Sequence, residues 1–145
     1  MALTATPVFP QTPILGVQNF KPADASNLKT VYTAGANGSK VVALTATSTE
    51  TASARVAQVW ITRSAVSYLL TSVNIPVNSG FDGITPAIDL LTQAILPSLP
   101  FSGGAGGFDG QTFLYLQSGD TLQVSMTSTI TAGKEIDVLA VGSNY

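Results

Sequence analysis

Two carboxylates sit in identical tetrapeptides, Asp82 in Gly80-Phe81-Asp82-Gly83 and Asp109 in Gly107-Phe108-Asp109-Gly110. A repeated acid invites metal or acid–base chemistry. Calcium loops gather several oxygen ligands in a few residues, as in D-x-D-x-D-G, yet neither aspartate has a second acid within five residues on either side. Glycoside hydrolysis needs only two carboxylates across a cleft, so Asp82 with Asp109 or Asp120 defines the enzyme reading. Turn formation asks for less. Asp-Gly marks a turn, the outer glycines tolerate positive φ, and the phenylalanine anchors the loop to the core or to a neighbour. The flanks, ITPAIDLL and QTFLYLQS, do not match beyond the motif, so it is read as recurrent turn chemistry and not as an internal duplication.

The rest of the chemical inventory is sparse. The 145-residue chain has no cysteine and no histidine, which removes cysteine nucleophiles, histidine-based triads and the usual zinc ligands. The glycine-rich run 102–107 has no Lys-Ser/Thr after it and no strand–helix frame, so it is no phosphate loop, and a flexible loop is the expectation. Glu135 and Asp137 share a strand face beside Lys134 and read as a solvated surface. No catalytic residue, cofactor or metal is expected.

Six basic residues, scattered through the sequence, give no patch for neutralising phosphates, so no nucleic-acid partner is expected. Only 10% of residues are charged, against roughly 25% in ordinary soluble proteins. Thr, Ser, Ala and Gly fill the deficit, a surface suited to contact with other subunits. No run approaches the ~20 apolar residues of a membrane span, and prolines at 7, 10 and 13 interrupt any signal-like core. A chain made and assembled in the cytoplasm, with no membrane partner, is the expectation.

The length suits one domain. Residues 1–22 lack a strand or helix period but carry Val8, Phe9, Ile14, Leu15, Val17 and Phe20. Disordered ends are normally poor in such groups, so this stretch is expected as an ordered extended arm, lying on its own domain or on a neighbour. Residues 23–145 form the domain. KTVYTA and SKVVALTAT flank the turn pair Asn37-Gly38, and 54–62 with 66–75 form a hairpin. Leu122, Val124 and Met126 alternate with polar neighbours, and Ile136, Val138 and Ala140 fall inward at the same period of two. Thr85, Pro86 and the spacing of Ile88, Leu91 and Ile95 predict one short helix at most, stopped by Pro97 and Pro100. The fold class is all-β, a single β-sandwich or jelly-roll-like domain. Trp60 lies on the face opposite Val59 and Ile61; with Phe81 and Phe108 it is the expected interface contribution of the body of the domain.

The phrases VYTAGANGSKVVALTATST, ITPAIDLL…LPSLPF and LYLQSGDTLQVSMT…TAGKEIDVLA resemble small structural proteins of tailed bacteriophages, of the capsid decoration (cement) kind. The likeness runs from about Val31 onward and contains no catalytic signature. It implies a virion protein on the capsid exterior that binds the major capsid protein and bridges capsomers, commonly as a homotrimer. The pattern SGxTLxVS before a final strand also occurs in phage tail and adaptor proteins and in unrelated β-sandwiches, so a tail-tube, tail-completion or head–tail connector subunit is the second reading. A carbohydrate-binding β-module is the third, with Trp60, Tyr32, Tyr68 and Tyr115 as stacking aromatics.

Overall fold

The computed structural model describes residues 10–24, 26–92, 94–97, 99, 101, 102 and 111–145. Eleven strands follow in chain order: β1 Thr12–Phe20, β2 Lys29–Thr33, β3 Ser39–Ser48, β4 Arg55–Arg63, β5 Val66–Ile75, β6 Ile88–Asp89, β7 Phe101–Ser102, β8 Gln111–Thr112, β9 Leu114–Leu116, β10 Thr121–Met126 and β11 Ile136–Asn144. One sheet has the order β1-β11-β3, with both β6 and β9 on the far edge of β3; the other has the order β2-β10-β4-β5. All pairings are antiparallel, and β7 with β8 forms a separate two-stranded ribbon. The architecture is a β-sandwich.

Alternation builds the core. On β10 the side chains of Leu122, Val124 and Met126 are fully buried, and on β11 those of Ile136, Val138 and Ala140 are equally so. These two rows meet Val41, Leu44 and Ala46 of β3 and Ala57 and Val59 of β4. Inward apolar residues at period two are what each sheet needs to cover the other. The β4–β5 hairpin forms as its sequence predicts and turns on Ser64 and Ala65, both at positive φ (49° and 64°). Two successive left-handed residues match the strand twist, as a type I′ turn does. By contrast, β2 and β3 flank the Asn37-Gly38 turn but belong to different sheets, so that turn carries the chain across the sandwich.

Two segments differ from their sequence reading. No α-helix occurs over 85–95 among the described residues. Ile88 and Asp89 instead pair with Ala46 and Thr45, the Leu90 amide donates to the Leu44 carbonyl, and the Leu91 amide donates to Asp89 Oδ1. The edge of β3 takes up the donors that a helix would have used. Ile95, expected on the same buried face as Leu91, is exposed, while Leu91 is buried.

The second difference concerns which apolar residues of the arm face outward; the described part of the arm is extended on its own domain, one of the two places expected for it. Residues 12–20, which show no clean period in sequence, are strand β1, paired with β11 from Thr12–Asn144 through Phe20–Ile136. Phe20 is fully buried and so is committed to this domain and not to a partner, while Ile14 is partly buried and packs against the core. Leu15 and Val17 point the other way. Val8 and Phe9 lie outside the described residues.

Candidate interaction surfaces

Leu15 and Val17 are 64% and 58% exposed on the outer face of β1, in register with Val141 and Leu139 of β11. Ala43 continues the first of these rows on β3. The result is an aliphatic band across three neighbouring strands on the solvent side of one sheet. Asn19 closes one end, donating through Nδ2 to Asp137 Oδ1 at 2.6 Å and to Glu135 Oε2 at 3.1 Å.

Trp60 is partly buried on the outer face of the other sheet, beside its register partner Gln123, and its Nε1 donates to Ser125 Oγ at 3.1 Å. β1 lies in the opposite sheet, so residues 12–20 are not its cover. Tyr32 is buried, with its hydroxyl donating to Asn144 Oδ1, and Tyr115 is exposed on β9 of the β1 sheet. Tyr68 belongs to the other sheet, on β5. The four aromatics of a sugar-stacking groove therefore do not share one face.

The first GFDG is a closed turn. The Ile84 and Thr85 amides donate to Asp82 Oδ1 at 2.9 and 2.7 Å, and the Thr85 hydroxyl donates to Oδ2 at 3.1 Å. The Gly80 amide donates to the Thr85 carbonyl at 2.7 Å. Hydrogen bonds from the Thr85 and Ile84 amides hold the Asp82 carboxyl below its usual range. Its Oδ1 is spent on the loop's own amides and its Oδ2 on the Thr85 hydroxyl. Phe81 does not anchor this loop to the domain's core: it is 63% exposed, and Ile84 beside it is 89% exposed. Sequence reading missed Ile84, although a large apolar residue directly after a turn was the available signal. It also missed Val66 and Leu69, both exposed on the half of β5 nearest the hairpin turn. Phe108 and Asp109, in the second GFDG, lie outside the described residues.

Asn can take the acceptor role of Asp82 in this turn, so Asp82→Asn is expected to leave thermal stability little changed. Gly83 has φ +74° with nothing within 4 Å of an added Cβ, so Gly83→Ala meets backbone strain alone and should cost about 1–2 kcal/mol in chemical denaturation. A large loss in Asp82→Asn that added calcium restores would return the motif to metal chemistry.

Two ion pairs tie the ends of the sandwich. Arg63 forks onto Asp120, Nε to Oδ1 at 2.7 Å and Nη2 to Oδ2 at 2.5 Å, while the Gln117 amide also donates to Oδ2. Arg55 and the Thr131 amide both donate to buried Glu50 Oε1. The Arg63 hydrogen bond lowers the Asp120 pKa. Burial alone would raise that of Glu50, but hydrogen bonds from Thr131 and Arg55 outweigh it and the net shift is downward. The Lys29 hydrogen bond lowers Asp24 as well. A carboxylate with a depressed folded pKa contributes stability that is complete above its unfolded value and lost as pH falls through the folded one. With no histidine or cysteine, the melting temperature should be flat from about pH 5 to 7 and fall below about pH 4. A step between about pH 5.5 and 7 in a thermal melt series would contradict this assignment.

Among the described residues no group of three or more Asp, Glu, His or Cys side chains is placed to hold a metal ion, and no helix is long and apolar enough to cross a membrane. Comparison with known proteins returns no matching family model and no curated relative.

Proposed function

We propose that this chain is a structural assembly protein, a tailed-phage decoration (cement) subunit that binds the major capsid protein on the shell exterior and bridges capsomers as a homotrimer. The observation that carries the assembly part is the aliphatic band of Leu15, Val17, Leu139, Val141 and Ala43 on the outer face of a sheet whose other face already holds the core. Apolar groups set in a row on a rigid sheet favour a protein partner over water. The low charge of the chain supports the same reading, because few ions must be desolvated on contact. The phage assignment rests on the sequence resemblance.

The test uses shells of the phage that encodes the chain. Shells lacking it should form yet burst at lower temperature, and added purified protein should restore them. A trimer touching several capsid subunits gains roughly 10²–10⁴ in avidity over a single contact, so binding to free capsid monomer should be weak. Leu15→Asp with Val17→Asp should fold normally, both positions being exposed, and fail to restore the shells. Unchanged shell stability on removal, together with a ring larger than a trimer by native mass spectrometry, would move the assignment to a tail or connector subunit.

A further inference from the structure

Two apolar features sit at opposite ends of β5. At one end, the loop after Ile75 presents Phe81 and Ile84 to solvent on a turn closed by its own hydrogen bonds. At the other, beside the Ser64-Ala65 turn, Ile61, Arg63 and Tyr68 line an open concavity of about 350 Å³. Tyr68 and the neighbouring Val66 are 58% and 50% exposed. We propose that the Phe81–Ile84 loop of one copy of this chain docks into the Ile61–Arg63–Tyr68 socket of a second copy, giving a head-to-tail contact.

Three observations select a second copy as the occupant. The loop is preordered, so docking orders no new backbone and the exposed side chains alone change surroundings. Its only charge is Asp82, while among the described residues the socket's only charge is Arg63, whose Nη1 has no hydrogen bond there while Nε and Nη2 hold Asp120. The seven steps of β5 from Tyr68 to Ile75 separate loop and socket by about 23 Å at 3.3 Å per residue, so a loop fixed by its own hydrogen bonds cannot fill the socket of its own chain. A bilayer is a poorer match, since membrane-seeking loops flank their apolar tips with Lys or Arg and residues 76–88 contain neither. A contact between two different surfaces closes into a ring or runs on as a filament. This inference rests on the reading of the chain as an assembly subunit and names the self-contact within that assembly.

The absence of native cysteine makes the test clean. Ile84→Cys and Tyr68→Cys proteins, each exposed at the changed position, are mixed and oxidised, and the disulfide-linked species are identified by mass after digestion. The expected product is the mixed dimer, joined from position 84 of one copy to position 68 of the other, in excess over either homodimer. Phe81→Ser with Ile84→Ser should weaken self-association of the otherwise wild-type protein by about tenfold or more in sedimentation equilibrium. A predominance of dimers joined through position 84 of both copies, self-association unchanged by the double serine variant, or a wild-type monomer would each overturn the proposal. Shell binding by a wild-type monomer would overturn this contact and the trimer, and leave standing only the decoration of the shell.

Discussion

Phe20→Ala is expected to lower the melting temperature by about 10–20 °C, the equivalent of roughly 3–5 kcal/mol for removing a buried phenylalanine from a domain of this size. Phe20 is the last residue of β1, fully buried, and pairs with Ile136, which is also fully buried. Lys29 Nζ lies 5.2 Å from the ring centroid and donates to the Asn19 carbonyl at 2.7 Å while pairing with Asp24 at 2.8 Å. The ring therefore fills the corner where the chain leaves one sheet for the other, and the cation network above it cannot collapse into the space left by alanine. Far-UV circular dichroism during thermal unfolding reads the effect directly. Normal stability in Phe20→Ala together with lost self-association would mean that the N-terminal stretch serves a partner and not its own core.

Phe20 belongs to the strand that was hardest to read in the sequence. The hairpin over 54–75 and strands β10 and β11 announce themselves through alternation and through local turn residues. β1 does not. Its inward row is Ile14, Gly16, Gln18 and Phe20, and Gln18 donates its side-chain amide to the Thr30 carbonyl instead of meeting apolar neighbours. A row containing glycine and glutamine hides the period that pairing with β11 imposes. Partner choice was hidden for a different reason. A period of two shows which side chains share a face but not which strand lies alongside, so β2 and β3 resemble a hairpin in sequence and separate into two sheets in space. At 85–95 the i, i+3 spacing of Ile88 and Leu91 imitates a helix, and only the open edge of β3 decides otherwise. The interaction surfaces follow the same logic. Leu15 and Val17 were visible as apolar residues, but their outward direction depends on the register with β11.

Gly16→Val should destabilise the protein by about 3 kcal/mol or more, at the upper end of overpacking costs. A Cβ added at Gly16 would lie 1.8 Å from the Val31 carbonyl oxygen and 3.0 Å from its carbon. These are backbone atoms of β2, at the bulge between its Thr30–Gln123 and Tyr32–Leu122 pairs with β10, so no side-chain rotation relieves the clash. Relief requires β1 and β2 to separate, which would pull Phe20 and Ile14 away from the core they pack against. The ~0.4–1 kcal/mol that a glycine replacement returns by restricting the unfolded chain is too small to compensate. Gly83 is the internal comparison, since its substitution meets strain but no atom. In urea titrations the Gly16→Val midpoint should fall well below that of Gly83→Ala, with a similar slope if the unfolded states match. A Gly16→Val protein as stable as wild type would show that β1 does not run this close to β2 in solution. The outward row of Leu15 and Val17, whose direction depends on that packing, would then lose its place as an interaction face.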